Sequence, residues 1–194
     1  MARPREFDEE EVLKTTLRLF WEKGYESTSL SDLMAATGLT KSSLYKAFGS
    51  KEELFWRVVE RYQRDFLDFR HAALAEPTPR RIAERLLDGI TALHSGEMNP
   101  VGCLELNTAL TGSKEGEPIR QELLRGREQF RLRLRERFEE TMAAAPLPPG
   151  MTSDDAASLI ISLIQGLAVQ AKAGASLETA RRVARAALLS WPES

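Results

Sequence analysis

Residues 28–51 read TSLSDLMAATGLTKSSLYKAFGSK and contain the signals of two short helices joined by a tight turn. The hydroxyl groups of Thr28 and Ser29 can cap the first helix, and Gly38 can end it because glycine adopts the left-handed conformation that closes a helix. Thr40 can cap the second helix. Helix, glycine turn and helix in this order predict a helix-turn-helix, whose second helix enters the major groove of DNA.

The local charge supports this prediction. No aspartate or glutamate occurs in residues 33–51, which contain three lysines, whereas the whole chain of 194 residues has a net charge of -2. A basic face beside hydroxyl groups suits contact with phosphates and base edges. A helical hairpin with solvated lysines is the alternative. The ordered caps, the turn glycine and the capping box Ser50-x-x-Glu53 favour DNA binding.

The longer segment LFWEKGYESTSLSDLMAATGLTKSSLYKAFGSKEELF, residues 19–55, resembles the N-terminal domain of the TetR/AcrR family of transcriptional regulators. This resemblance implies a homodimeric repressor that binds a palindromic operator in double-stranded DNA and has an effector-responsive helical domain. It also implies DNA contacts at a set of matching positions. These positions are Thr28, Thr40, Lys41, Ser42, Ser43, Tyr45, Lys46 and Lys51.

Apolar residues recur at helical spacing along the rest of the chain, so we predict an all-α fold of about nine helices. Residues 1–50 form the three-helix DNA-binding domain, and residues 50–75 form a long connecting helix. Residues 76–194 form the effector-binding and dimerisation domain. The boundary falls at Glu76-Pro77-Thr78-Pro79, because two prolines so close cannot continue a helix.

The helix predicted near residues 152–173 is apolar on nearly every side, which indicates burial on nearly every side. A membrane span is the competing interpretation, but the apolar run ends at Gln165 and is about half of the roughly 20 residues that a span needs. We therefore expect this helix and the last one, residues 176–191, to pack against a second subunit. Two such pairs form a four-helix bundle interface.

The composition indicates a globular protein, with 42% hydrophobic and 29% charged residues. The first ten residues lack the apolar core of a signal peptide, so we expect a cytoplasmic protein. His71 and His94 have no partners at metal-ligand spacing, and neither a phosphate-binding glycine loop nor a Ser/His/Asp arrangement occurs. We predict no catalytic residue, metal or cofactor, and an all-α enzyme is the weaker alternative.

Cys103 is the single cysteine and follows Gly102 at a predicted helix start, where the helix dipole would favour the thiolate. The alternative is a small buried apolar residue. Residues 101–104 and 166–172 resemble the C-terminal domain of electrophile-sensing, NemR-like regulators. The resemblance implies that Cys103 is a redox or electrophile sensor. If the Lys172 ammonium lies near Cys103, it could lower the pKa of the thiol or react with its oxidised sulfur. Lys172 could instead only snorkel, leaving a reversibly bound small molecule as the effector.

Overall fold

The computed structural model describes residues 7–94, 99–110 and 116–193. These residues form ten α-helices and no strand, which confirms the predicted all-α fold. The helices are α1 (Glu9–Lys23), α2 (Leu30–Thr37), α3 (Lys41–Phe48), α4 (Lys51–Phe66), α5 (Phe69–Leu74), α6 (Pro79–Leu93), α7 (Leu104–Leu110), α8 (Glu117–Thr141), α9 (Ser153–Lys172) and α10 (Leu177–Leu188).

The helix-turn-helix is formed by local hydrogen bonds. The Ser29 side chain accepts a hydrogen bond from the backbone of Asp32, whose carboxylate in turn binds the Ser29 backbone and completes a capping box. Gly38 ends α2 with a φ of 70°, in the left-handed region. The Thr40 hydroxyl accepts from the backbone N–H of Ser43 at 3.2 Å and begins α3. The cap and the turn glycine therefore lie where the sequence predicts them.

An aromatic cluster joins the DNA-binding helices to α4. The ring of Phe20 on α1 meets Phe55 edge-on at 5.2 Å between centroids, and Trp21 meets Tyr62 in the same way at 4.7 Å. Both α4 rings are fully buried. Edge-to-face pairs of this kind add about 0.5–1.5 kcal/mol to the free energy gained from burial. The cluster fixes α1 on α4, so these helices are tightly coupled.

The predicted single helix from 50 to 75 is wrong, because the chain leaves the helical path between Phe66 and Phe69. Phe66 stacks on Tyr62 and meets Trp21, whereas Phe69 covers Gly89 on α6. These two aromatic residues therefore pack on different partners, and a bend at Leu67 lets both be covered. The bend splits the predicted helix in two and accounts for the tenth helix.

The C-terminal helices pack into a bundle in which α9 lies against α6 and α8. Thr152 and Asp155 form a capping box at the start of α9. The opposite side of α9 remains open, with Leu159 and Val169 exposed and free space where a side chain at Gly166 would project. No helix within the described ranges is both long and apolar enough to cross a bilayer.

Candidate functional site

The α3 surface, defined as the exposed side chains of Thr40, Lys41, Ser42, Tyr45 and Lys46, carries the polar groups predicted to contact DNA. Leu44 and Phe48 on the same helix are buried, so packing of these two side chains fixes which face of α3 points outward. Hydroxyl, ammonium and phenol groups can bind both phosphates and base edges. The α3 surface is therefore a chemically suitable reader of a DNA groove.

Ser43 and Lys51 flank the α3 surface and are both half-buried. The Thr40 hydroxyl donates a hydrogen bond to the Ser43 hydroxyl at 3.0 Å, so the Ser43 side chain takes part in the helix cap. The Lys51 ammonium lies 4.3 Å from the centre of the Tyr25 ring, and burial lowers the pKa of this lysine. Tyr25, which was absent from the sequence-based set, thus orients the lysine predicted to contact phosphate.

The nearest acidic group on α2 is already paired. The carboxylate of Asp32 lies 2.7 Å from the Lys23 ammonium, and hydrogen bonds from Lys23 and Ser29 hold the pKa of Asp32 below its usual range. Among the described residues, neither Lys41 nor Lys46 has an ion-pair partner. The lysines of the α3 surface therefore retain their charge for a partner outside the chain.

Thr28 does not belong to this surface. Its side chain is completely buried, and its hydroxyl donates to the carbonyl oxygen of Gly24 at 2.7 Å. The hydroxyl closes the turn between α1 and α2, and Ser29 caps α2 in its place. The Thr28 hydroxyl is therefore not available to DNA, and the contact predicted at this position could be made only by the backbone.

Cys103 lies directly before α7 and is only 7% exposed. Burial raises the pKa of its thiol, the nearby Glu105 carboxylate raises it further, and Arg70 opposes both effects. The backbone N–H of Leu106 at the start of α7 lowers this pKa, as predicted for a helix start, but burial outweighs it and the net shift is upward. A raised pKa means that the protonated, less reactive thiol predominates at neutral pH.

Lys172 lies beside the Cys103 segment, but its ammonium has another partner. It donates to the carbonyl oxygen of Glu22, at the end of α1, at 2.9 Å. The side-chain stem runs past Gly102, where an added Cβ would lie 3.2 Å from the Lys172 Cδ. The cation that acts on the thiol is Arg70, and sequence reasoning missed it because α5 lies about 30 residues away along the chain.

A pocket of about 40 Å³ adjoins Cys103 between α5, α7, α8 and α9. It is called the Cys103 pocket below. Its lining residues are Arg70, Cys103, Glu105, Leu106, Ala109, Leu123, Arg127, Phe130, Ile161, Ile164, Gln165 and Ala168. One water molecule needs about 10–15 Å³ of cavity volume. The Cys103 pocket therefore suits a small molecule rather than a large one. Apart from Cys103, the sequence identified none of these residues as pocket residues.

Direct hydrogen bonds connect the Cys103 segment to α1. The indole N–H of Trp21 donates to the carbonyl oxygen of Gly102 at 2.7 Å, in a fully buried site. The Asn107 amide donates back to the carbonyl oxygen of Trp21 at 3.1 Å. A displacement of the residues around Cys103 would therefore act directly on the end of α1.

The Glu105 carboxylate connects the same region to α4 and α5. It accepts hydrogen bonds from the Gln63 amide at 2.7 Å and from the Arg70 guanidinium at 3.2 Å and 3.3 Å. Arg70 also lies over the Phe130 ring, 5.2 Å from its centre. One carboxylate on α7 thus holds the C-terminal half of α4, the start of α5 and a wall of the pocket together.

Tyr62 is a further α4 residue whose side chain lies near Cys103. Its hydroxyl is buried and makes no hydrogen bond of normal geometry with any described residue. It lies close enough to Cys103 for each group to alter the pKa of the other. A buried hydroxyl without a hydrogen-bond partner lowers the stability of a fold by about 1–3 kcal/mol. The residues around reduced Cys103 therefore include one polar group whose hydrogen bond is missing.

Family models match both parts of the chain. Residues 12–58 match bacterial regulatory proteins of the tetR family, and residues 80–187 match the tetracyclin repressor-like C-terminal domain. The HTH-type transcriptional repressor ComR of Escherichia coli K12 is 33% identical over 196 residues, which cover 99% of this chain and 92% of ComR.

Solved structures of TetR family regulators are also similar to this chain. A cysteine mutant of the TetR family regulator CifR, complexed with 26-bp double-strand operator DNA, has a TM-score of 0.90 and is 34% identical. The alignment covers 98% of this chain and all of that one. Reduced NemR of E. coli has a TM-score of 0.70 over 95% of this chain and 98% of its own, with 20% identity, which shows a shared fold alone. The NemR-like branch therefore remains a prediction.

Proposed function

Because the chain belongs to the tetR family of bacterial regulatory proteins, we propose that an effector in the Cys103 pocket releases this DNA-binding repressor from its operator. The chain is a transcriptional regulator and not an enzyme, as its relatives establish. Regulators of this family are dimers with effector ligands. The single observation that carries the proposal is that hydrogen bonds connect the pocket region to both α1 and α4. Gly102, which precedes the lining residue Cys103, binds α1, and the lining residue Glu105 binds α4.

DNA contact is proposed for Thr40, Lys41, Ser42, Tyr45 and Lys46, which lie on the exposed face of α3. These side chains would enter the major groove, as the second helix of a helix-turn-helix does. Ser43 would support the cap, and Lys51 would approach a phosphate at the start of α4. The operator is proposed to be a palindrome, because a two-fold dimer places two readers about 34–36 Å apart.

The dimer is proposed to form through α9 and α10. The open side of α9 carries Leu159, Val169 and Gly166, a combination of apolar contact and close approach that suits a second copy of the same helix. Burial of this stripe in a four-helix bundle would cover apolar area that the single chain exposes. Since operator DNA of a bacterium lies in the cytoplasm, the dimer is proposed to act there.

Release is proposed to begin at α7. An effector that occupies the Cys103 pocket, or a compound that alkylates or oxidises Cys103, would displace α7 and disturb two connections. These are the Trp21–Gly102 hydrogen bond to α1 and the Gln63–Glu105 hydrogen bond to α4. The effector must bind the released form more tightly than the DNA-bound form, since only differential affinity shifts the equilibrium.

Lys172 is proposed as a partner of oxidised Cys103 only after it leaves the Glu22 carbonyl oxygen. Such a departure would itself break a contact between α9 and α1. The second candidate is a reversible ligand with Cys103 in a purely packing role. The raised pKa and the burial of the thiol favour this second candidate.

The test is binding of the purified full chain to DNA from upstream of its own gene, with and without N-ethylmaleimide, for the wild type and Cys103→Ser. Loss of binding on treatment of the wild type alone supports release through the thiol. Equal loss in both proteins puts the sensor elsewhere. Tight binding that survives treatment in both leaves a reversible ligand, and no sequence preference in DNA binding would refute the repressor model.

A further inference from the structure

The outer face of α8 carries seven arginines, of which five pair with a glutamate one helical turn away. The pairs are Arg120–Glu117, Arg125–Glu122, Arg131–Glu128, Arg135–Glu139 and Arg137–Glu140. Arg127 differs, because the residues three and four positions away from it are leucine, phenylalanine or arginine. Within the described part of the chain its guanidinium has neither an ion pair nor a hydrogen bond.

Arg127 borders two adjoining spaces, and the passage of a ligand from one to the other would run beside it. It lines the Cys103 pocket, and it also lines an outer groove between α8 and α9 that contains Ser158 and Ser162. Of the other lining residues, only Ile161 and Gln165 also line both the pocket and the groove. A molecule that enters the pocket from the groove would therefore pass the Arg127 guanidinium and the Gln165 amide.

The balance of charge in the pocket is positive. Glu105 is the one acidic residue in its lining, and its carboxylate already accepts hydrogen bonds from Arg70 and Gln63. In the outer groove Glu128 is paired with Arg131 at 2.8 Å. Arg127 is thus the cation of the pocket wall whose charge no described carboxylate balances.

The remaining polar group at the passage is also unused. The Gln165 amide makes no hydrogen bond with any described residue and is half-buried. A guanidinium presents two parallel N–H donors that match the two oxygens of a carboxylate, and an amide can add a third donor. The pocket lining also offers apolar side chains, among them Leu106, Ile164 and Ala168.

From this arrangement we infer that the effector is a small molecule with a carboxylate group and a short apolar body. The carboxylate binds Arg127 and Gln165, and the apolar body enters the pocket beside Cys103. The inference rests on the proposed function, because it names the chemical class of the compound that occupies the same pocket. It requires that the effector is negatively charged. Release by a neutral compound or by a thiol reagent would not require this charge.

The test is calorimetric binding of straight-chain carboxylates from acetate to octanoate, each compared with its neutral amide, to the full chain. At least one carboxylate should bind roughly ten- to hundredfold more tightly than its amide, as expected for charge-assisted hydrogen bonds. Arg127→Gln should remove that difference, and Arg127→Lys should restore part of it. The matched control is Arg133→Gln, since Arg133 lies outside the Cys103 pocket and also has no described ion-pair partner.

Melting temperatures of all three variants establish that each is folded before binding is measured. If no carboxylate binds more tightly than its amide, or if Arg127→Gln leaves the preference unchanged, the inference is wrong and Arg127 is a solvated surface residue. The proposed function fails separately. It is refuted if operator binding is unchanged both by N-ethylmaleimide and by every compound of the series, neutral or charged, that the pocket binds.

Discussion

The α3 surface and the Cys103 pocket differ in the exposure and in the bonding of their polar groups. The α3 surface consists of residues 40–46, its polar groups are exposed, and its lysines have no described ion-pair partner. The Cys103 pocket draws on residues from 70 to 168, its thiol is buried, and its single carboxylate is fully engaged. The DNA reading proposed for the α3 surface needs free groups, whereas the signal transmission proposed for the pocket needs groups that are connected to the rest of the fold.

The largest effect is expected on the α3 surface. It tests whether this surface binds DNA without contributing to the stability of the fold. Replacing both Tyr45 and Lys46 with alanine should weaken operator binding roughly hundredfold or more, because each DNA contact is worth about 1–3 kcal/mol. The melting temperature should change little, since both side chains are exposed. Fluorescence anisotropy with labelled operator DNA measures the affinity. Arg81→Ala, on the distant helix α6, is the control, and wild-type affinity in the double variant would remove these residues from the DNA contact.

The second effect tests whether the Cys103 segment is held by α1. Trp21→Phe removes the donor to the Gly102 carbonyl oxygen and leaves a cavity in a fully buried site. The free energy of unfolding should fall by about 3 kcal/mol, from the unpaired carbonyl and the lost volume together. Urea denaturation measures it. Trp56→Phe makes the same change at a half-buried indole and should cost less than about 1 kcal/mol, and equal losses would contradict a special role for Trp21.

The third effect uses pH to distinguish the buried thiol from an exposed one. Because burial raises the pKa of Cys103, its thiolate fraction at neutral pH is smaller than that of an exposed cysteine, and alkylation should accelerate about tenfold per pH unit. The rate should still be rising at the pH where the thiol of the unfolded chain has levelled off. The same chain unfolded in urea is the control, because its thiol should level off near its ordinary pKa of about 8.5. A plateau below pH 8 in the folded protein would show a lowered pKa instead.

The smallest effect concerns the unpaired Tyr62 hydroxyl. Tyr62→Phe keeps the ring and removes the hydroxyl, so the free energy of unfolding of the reduced protein should rise by about 1 kcal/mol. Chemical denaturation under reducing conditions measures the change. Tyr25→Phe, at a half-buried tyrosine, should stay within about 0.5 kcal/mol of the wild type. Destabilisation by Tyr62→Phe would mean that the hydroxyl is bonded to the thiol in solution.

The same contrast explains what could be predicted from the sequence. The Thr40 cap, the Gly38 turn and the outward face of α3 depend on residues within a few positions of one another, and the sequence predicts them correctly. Thr28 is the local exception. A threonine before a helix can cap it or turn back to an earlier carbonyl, and only the position of Gly24 decides between these two roles.

The pocket could not be predicted in the same way. Arg70, Glu105 and Gln165 lie on three helices, and their meeting depends on how those helices pack. The break after Phe66 has the same origin, because it depends on Gly89 in a later helix. One signal was present in the sequence. Arg127 lacks an acidic residue three or four positions away, in a helix where all six other arginines have one.

The break between α4 and α5 has a mechanical consequence. Phe69 fills the space at Gly89 so closely that an added Cβ would lie 2.2 Å from its ring, which anchors α5 to the C-terminal bundle. The 16 residues of α4, about 24 Å long, would act as a lever in any rotation about Leu67. A rotation of about 5° at this pivot moves the DNA end by roughly 2 Å on the same geometry. Doubled by the dimer, that displacement would exceed one base-pair rise of about 3.4 Å, enough to put the two readers out of register.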